Sequence, residues 1–387
     1  MLRRVALPLV LLAFTVASAM PVSALVAPVR DVLPDGGRRP VVVSATLMAP
    51  QRHNALLEAD IAIEATDDDG IDRYEYRWVG AGNAEPAVID SVAMTVAYDD
   101  VRPATGYRLQ VRAVDTDGWE SDWYDAWEGT TPPPPRLIVA GDSVASGYSR
   151  DWFTGPATCR DDEYAYGETV VAGIAAHLPS AWAPAYFNLA WPGAGVEDMI
   201  EGGTDSCGQS HPSQLGGIVA LADPKTWNVV VVTAGVNSTN WTDVISELVK
   251  NTAISLSESG DREWCTVAVN ERWNLAERSD AVTDSVRSVV TSLHDETNAA
   301  IHWTSYYPID GTVLAPGWTP VGAECAPQMD EALARLHAAI LTGIGNGAEW
   351  IDISAEQVTT QKWAGWPHPN RAGHALLGNQ IARAIAG

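Results

Sequence analysis

The chain has 387 residues, of which 46% are hydrophobic and 8% aromatic, and this is enough for two globular domains with their own cores. Its formal net charge is −25, from 49 acidic and 24 basic residues. This balance excludes the basic surface that is typical of a nucleic-acid-binding protein. We therefore expect neither nucleic acid nor another anionic polymer as a partner.

Residues 1–24 have the features of a secretory signal peptide. Arg3 and Arg4 precede an apolar run over about residues 5–17, and small residues allow cleavage after Ala19 or Ala24. A membrane span needs about 18 or more apolar residues, and neither this run nor any later one is that long. We expect a secreted, extracellular protein without an integral membrane segment once the signal is removed.

The four cysteines are interpreted in the light of this export, because the oxidising exterior favours disulfides. None of them has the CxxC or Cys/His spacing of a zinc site, so we expect two disulfides and no metal. Sequence alone allows three pairings among the four, which are Cys159, Cys207, Cys265 and Cys325.

A β-sandwich is predicted over residues 40–129, after a flexible lead at residues 25–39. Four segments alternate apolar with polar residues and are separated by Asp, Gly and Pro turns: ADIAIEAT, RYEYRWVG, SVAMTVAYDD and YRLQVRAVDTDGW. The passage TGYRLQVRAVDTDGWESDW resembles the late strands of a fibronectin type III domain. The acidic turn DDDGID at residues 67–72 lacks the spacing of an EF-hand loop, and we interpret it as a solvated turn rather than a calcium site.

The proline-rich run TTPPPP at residues 130–135 predicts an extended, semi-rigid linker. From residue 136 to 387 the pattern changes to buried strands that alternate with amphipathic helices, which indicates a doubly wound α/β domain with a parallel sheet. The predicted strands are RLIVA, AYFNLA, NVVVVTA, AIHWTSYY and EWIDI, and the predicted helices are ISELVKNTAISL, SVRSVVTSLHDE, MDEALARLHAAILTGI and AGHALLGNQIARAIA.

Three of these strands end in residues suited to one catalytic cleft, since ligands of such sheets bind outside the carboxyl ends of the strands. The ends are GDS at residues 141–143, WPGAG at 191–195 and AGVNS at 234–238. A serine between a strand and a helix exposes its hydroxyl beside a helix N-terminus. With Ser143 as a nucleophile, a backbone N–H in the second turn and the Asn237 amide in the third predict an oxyanion hole.

A serine nucleophile also needs a base, and His368 is the best placed of the eight histidines. It follows the last predicted strand in GWPHPNRAG, immediately before the last helix. His211 lies in a loop and His374 in the final helix, whereas His53 belongs to the β-sandwich. The remaining histidines fall in helical or strand segments, where a structural role is expected.

These residues resemble the SGNH or GDSL hydrolases, serine esterases and lipases with a flavodoxin-like sheet. Four blocks match in order: GDSVASG, NLAWPGAG, AGVNS and HPNRAGH. The resemblance implies that Ser143 is the nucleophile and first oxyanion donor, that Gly193 and Asn237 are the other donors, and that His368 is the general base. It implies acyl transfer to water without a metal or organic cofactor, in what we expect to be a monomer.

The chain departs from the family where the last block usually reads Asp-x-x-His, because Gly365 stands three residues before His368. We therefore predict that a backbone carbonyl, that of Gly365, orients the imidazole. Asp352 is the rival. The family's frequent Asp after the third-block Asn is Ser238 here, and a Cys common at the second strand end is Trp191.

The resemblance also guides the disulfides, because the family tends to link the loops after its first two strands. It implies that Cys159 pairs with Cys207, and thus Cys265 with Cys325. An α/β-hydrolase fold is disfavoured, since its nucleophile follows a mid-sheet strand whereas Ser143 follows the domain's first strand.

The substrate remains open between a lipid or simple ester and an acetylated polysaccharide, which would suit the added β-sandwich. A surface-binding module on a decayed hydrolase scaffold is the non-enzymatic alternative. Three tryptophans near the motifs are interpreted either as an acyl pocket or sugar-stacking wall or as core: Trp191, Trp241 and Trp366.

Overall fold

The computed structural model of the chain describes residues 38–53, 56–80, 86–89, 94–98, 101–148, 165–239, 275–307, 326–354, 363–365 and 368–386. The predicted signal peptide and most of the flexible lead lie outside these residues, as does the predicted helix at 245–256, and they stay predictions. Within the described ranges, every helix is too short or too polar to cross a membrane.

The N-terminal region is all β, as predicted, and consists of two antiparallel sheets with the strand orders β1-β2-β5 and β4-β3-β6-β7. Alternate residues of β6 face the core, which explains its period-two sequence pattern. Strands β1, β4 and β7 are additional to the predicted ones. The strands are β1 Val41–His53, β2 Leu56–Thr66, β3 Ile71–Val79, β4 Ala87–Ile89, β5 Thr95–Ala97, β6 Gly106–Asp115 and β7 Tyr124–Thr130.

Residues 131–135 connect the two regions, because β7 ends at Thr130 and the next strand begins at Arg136. This connection makes hydrogen bonds with both the N-terminal all-β region and the region that follows it. The Thr131 hydroxyl donates to the carbonyl of Arg102 (2.6 Å), and the Thr226 hydroxyl donates to that of Pro133 (2.8 Å). The proline run is therefore a held connection rather than a free spacer.

A second contact between the regions is aromatic. The buried Trp182 indole donates to the carbonyl of Val101 (2.7 Å) and meets the Tyr98 ring edge-on, with 5.8 Å between centroids. Trp182 lies shortly before β9, so this contact is at the amino end of the parallel sheet.

The second region contains a five-stranded parallel sheet in the order β14-β13-β12-β8-β9. All six residues of β12 are buried, which accounts for its continuous run of valines. The strands of this sheet are β8 Arg136–Gly141, β9 Ala185–Asn188, β12 Asn228–Thr233, β13 Ala300–Thr304 and β14 Glu349–Ile351. Two pairs of short strands complete the described part of the region: β10 Gly203–Thr204 with β11 Ser210–His211, and β15 Trp363–Gly365 with β16 His368–Pro369.

The helices surround this sheet in two groups. The first pairs α2 with α7, and the second pairs α5 with α6 and brings α3 and α4 against α5. The helices are α1 Ser143–Ser146, α2 Tyr166–Ala175, α3 Val196–Glu201, α4 Gln214–Leu221, α5 Leu275–Glu296, α6 Ala326–Ile344 and α7 Arg371–Ala386. This grouping is that of a doubly wound fold, so the predicted fold class is confirmed.

The strand order defines where a ligand should bind. The chain moves outward from β8 to β9, and then returns past β8 to β12, so right-handed crossovers place the following helices on opposite faces. The crevice at such a reversal opens at the carboxyl ends of the two strands concerned. Here those strands are β8 and β12, which end immediately before the serine and asparagine turns.

Candidate active site

The turn that presents Ser143 depends on a glycine. Gly141, the last residue of β8, has φ +125°, and a Cβ there would lie 1.9 Å from the carbonyl oxygen of Thr233. Asp142 follows in extended conformation and caps helix α1 by accepting from the Val144 N–H (2.9 Å). Ser143 is therefore the first residue of a capped helix, beside backbone N–H groups that the helix leaves unpaired.

A buried glutamine holds the same turn, and no sequence motif indicates this role. The Gln214 side chain accepts from the Gly141 N–H (2.6 Å) and donates to the Gly141 carbonyl (2.9 Å). Gln214 lies 73 residues further along the chain, at the start of α4. The primary amide thus pairs both backbone groups of the residue that precedes the cap.

Ser143 and His368 are brought together from opposite ends of the domain, with His368 Nε2 2.8 Å from Ser143 Oγ. His368 begins β16, three residues before the first residue of helix α7, and the Tyr148 ring meets its imidazole edge-on with 4.8 Å between centroids. Burial lowers the pKa of His368 to about 4. The imidazole is therefore neutral at neutral pH, so Nε2 can accept the serine proton.

The predicted partner of the other imidazole nitrogen is not found. Nδ1 of His368 is buried and makes no hydrogen bond within the described part of the chain, so its orientation by the Gly365 carbonyl stays a prediction. Gly365 lies opposite His368 on the paired strands β15 and β16, and this pairing sets the direction of its backbone. The rival also lies elsewhere, because the Asp352 carboxylate accepts from the Ser305 hydroxyl (3.1 Å) and the Ser354 N–H (2.8 Å).

Gly193 lies in the turn after β9 and has φ +90°, where a Cβ would lie 2.7 Å from the Ser206 hydroxyl. Two backbone bonds hold this turn: the Trp191 N–H donates to the carbonyl of Gly141 (3.2 Å), and the Ser206 N–H donates to that of Pro192 (3.0 Å). The first of these bonds ties the glycine turn to the serine turn.

Asn237 lies in the short 3₁₀ helix Val236–Thr239 that follows β12, and its Nδ2 donates to the carbonyl of Ala194 (3.1 Å). The neighbouring Ser238 hydroxyl accepts from the Val196 N–H (2.9 Å) and donates to the Glu197 carboxylate (2.7 Å). The residue that replaces the family's aspartate therefore joins the asparagine turn to helix α3. The four residues predicted from the motifs all lie at the same edge of the sheet.

A carboxylate–histidine pair flanks the glycine turn. His211 Nε2 lies 2.8 Å from Asp205 Oδ2, and the imidazole stacks on the buried Trp191 ring with 5.2 Å between centroids and 11° between planes. The His211 bond and two backbone N–H bonds lower the pKa of Asp205 despite its partial burial. Trp191 is therefore a core residue, packed against His211 of strand β11. Trp241 and Trp366 lie outside the described residues.

Of the four cysteines, Cys207 alone lies within the described residues. Cys207 is not a free thiol, but the other three cysteines lie outside the described residues, so both pairings stay predictions. Among the residues that the structure describes, no group of three or more His, Cys, Asp or Glu side chains is arranged to hold a metal ion. The acidic turn at residues 67–72 belongs to these described residues.

Comparison with known proteins agrees with this site. The model of the GDSL-like Lipase/Acylhydrolase family matches residues 137–381. The chain therefore belongs to the GDSL-like lipase/acylhydrolase family, as its four blocks predicted. No curated protein matches the chain.

Several solved structures are similar. Phospholipase A1 from Streptomyces albidoflavus NA297 is 17% identical with a TM-score of 0.45, over 66% of this chain and 99% of that one. An extracellular lipase from Streptomyces rimosus is 14% identical with a TM-score of 0.45, over 66% and 100%. The carbohydrate acetylesterase Est24 from Sinorhizobium meliloti is 12% identical with a TM-score of 0.35, over 65% and 98%.

Proposed function

We propose that the chain is a secreted serine esterase or lipase that hydrolyses carboxylic esters through an acyl-enzyme on Ser143. The observation that carries this proposal is the 2.8 Å separation of Ser143 Oγ and His368 Nε2. It is the contact between nucleophile and base that serine hydrolases require.

In the first half of the reaction, neutral His368 accepts the Ser143 proton while Oγ attacks the ester carbonyl. The tetrahedral intermediate collapses, and the alcohol leaves with the proton that His368 returns. In the second half, His368 takes a proton from water, and the resulting hydroxide attacks the acyl-enzyme. The carboxylic acid is then released and Ser143 recovers its proton.

The oxyanion of each tetrahedral intermediate is bound by the N–H groups of Ser143 and Gly193 and by the side chain of Asn237. One N–H of the Asn237 amide is engaged by Ala194, and an amide has two, so the second is left for the substrate oxygen. Gly193 adopts a positive φ and carries no side chain, so its backbone can approach the substrate closely.

A polysaccharide deacetylase is the second candidate, and the attached all-β region favours it. The contact of Trp182 with Val101 and Tyr98 holds that region at the amino end of the parallel strands. Ser143 follows the carboxyl end of β8, so this contact lies at the end of the sheet opposite to the ester site. The β region could hold a polymer at a distance, as an accessory domain does.

The two candidates can be separated with p-nitrophenyl esters of graded acyl length, assayed beside acetylated xylan. Activity that rises with chain length supports a lipase, whereas release of acetate alone, from both ester and xylan, supports the deacetylase. A folded, secreted protein that hydrolyses none of them would support the non-catalytic binding module and overturn the proposal. Sequencing the N-terminus of the protein recovered from the medium would test export and the cleavage after Ala19 or Ala24.

A further inference from the structure

A buried tyrosine joins the serine turn to the asparagine turn. The Tyr306 hydroxyl donates to Asp142 Oδ2 (2.6 Å) and accepts from the Val236 N–H (3.2 Å). Tyr306 follows strand β13, which is neither of the strands that carry the two turns. A phenolic hydroxyl can donate and accept hydrogen bonds at the same oxygen atom, and that of Tyr306 does both.

The two bonds extend into a chain that encloses the nucleophile. Asp142 Oδ1 accepts from the Val144 N–H (2.9 Å), and the Asp142 N–H donates to the Thr233 carbonyl (2.9 Å). One continuous path therefore runs from the Val236 N–H through the phenol and the carboxylate to helix α1. Ser143 lies between Asp142 and Val144 at one end of this path, and Asn237 directly follows Val236 at the other end.

Tyr306 is itself fixed at its backbone. Its N–H donates to Nε2 of His337 (2.9 Å), which can accept because burial lowers the pKa of His337 to about 4 and keeps the ring neutral. The His337 ring is in turn packed edge-on against Trp350, with 5.5 Å between centroids. The phenol is buried and held at both ends, so it can act as a rigid spacer between the turns it touches.

We propose that Tyr306 is a positioning residue that sets the separation of the Ser143 nucleophile from the Asn237 oxyanion donor by bonding both turns through one hydroxyl. This inference rests on the proposed function. Oxyanion donors act at about 2.7–3.1 Å from the developing charge, and a misplacement of about 1 Å can lower the rate roughly a hundredfold. Removing the hydroxyl leaves a carboxylate oxygen and a backbone N–H without this buried partner, so both turns must relax.

Tyr306→Phe tests the inference, with Tyr166→Phe as a matched control. Tyr166 is also fully buried, and its hydroxyl shares a 2.8 Å hydrogen bond with Thr233 Oγ1 without bonding Asp142. Tyr306→Phe loses two buried phenolic hydrogen bonds and Tyr166→Phe loses one, so both variants should lose thermal stability. We expect kcat to fall about tenfold or more in Tyr306→Phe with KM within about twofold, and kcat to stay within about twofold in Tyr166→Phe. Equal kcat values in the two variants would overturn the inference.

Asp142→Asn extends the test to a double-mutant cycle, which isolates the coupling between the two side chains. If Tyr306 acts through Asp142, the double variant should be no more than about twofold slower than the slower single variant. Multiplicative losses would contradict that route. Wild-type turnover separates the two claims: an active wild type with an unimpaired Tyr306→Phe overturns only the positioning role, whereas a wild type without ester turnover overturns the proposed function and this inference with it.

Discussion

The Asn237 side chain donates to the carbonyl of Ala194 across 3.1 Å, and this bond joins the turn after β12 to the turn after β9. Asn237 is itself a predicted oxyanion donor, and Ala194 directly follows Gly193, the other predicted donor from a neighbouring turn. The two donors are therefore held relative to each other before a substrate arrives. Preorganised donors of this kind stabilise a transition state without reorganisation during the reaction.

Asn237→Ala should lower kcat by about 10²–10³-fold with little change in KM, because the lost donor acts mainly on the tetrahedral oxyanion. Steady-state kinetics on a short-chain p-nitrophenyl ester will measure it. Asn298→Ala is the matched control. Asn298 lies just before the start of β13, at the amino end of the sheet, and its side-chain amide donates to the Pro224 carbonyl. Equal kcat in the two variants would exclude Asn237 from the oxyanion hole.

Gly141→Ala should destabilise the fold and abolish activity, because its Cβ would lie 1.9 Å from the Thr233 carbonyl oxygen. Gly118→Ala separates this clash from backbone strain, since Gly118 also has a positive φ (+85°) but has nothing within 4 Å of the added Cβ. We expect Gly118→Ala to cost about 1–2 kcal/mol of unfolding free energy, and Gly141→Ala clearly more. Urea unfolding will compare them, and similar losses would show that the strand end can move.

The acid limb of kcat/KM should lie near pH 4 rather than near 6.5, since burial lowers the pKa of His368 to about 4. The sign follows from the base role: the neutral imidazole is active, so activity is retained above the lowered pKa and lost as the pH falls through it. Chromatographic detection of released p-nitrophenol allows the profile to be measured from pH 3 to pH 8. An acid limb at about 6.5 would indicate that the free enzyme keeps His368 solvated.

Asp352→Asn should lower kcat by less than about tenfold, because this carboxylate is bonded to Ser305 and Ser354 rather than to His368. A triad aspartate replaced by asparagine can lose roughly 10⁴-fold. Single-turnover acylation of the folded variant distinguishes the two. A loss near the larger figure would place Asp352 in the catalytic group.

The strands and the three motif turns could be predicted because their signals are local. Continuous apolar runs mark the buried parallel strands, and Gly141, Ser143 and Asn237 lie within a few residues of the strand ends that place them. The final block placed His368 next to the serine although 225 residues separate them, because parallel strands bring their carboxyl ends to one edge.

The supporting contacts could not be predicted, because they join residues that no periodicity connects. Gln214 and Tyr306 reach the serine turn from positions 73 and 164 residues away, and each looks in sequence like an ordinary residue of its own element. The role of the Gly365 carbonyl stays a prediction for a related reason. Its direction depends on the pairing of β15 with β16, which short strands hardly encode.

Covalent labelling of the active protein by a fluorophosphonate tests the central claim most directly, since the probe reacts with an activated serine. We predict that peptide mapping will find the label on Ser143 alone. Ser143→Ala should be unlabelled and lose nearly all ester hydrolysis while keeping its fold, and Ser121→Ala, which removes a buried hydroxyl from the N-terminal sheets, should label normally. Label on another serine of the active wild-type protein, or ester hydrolysis retained by Ser143→Ala, would contradict the account.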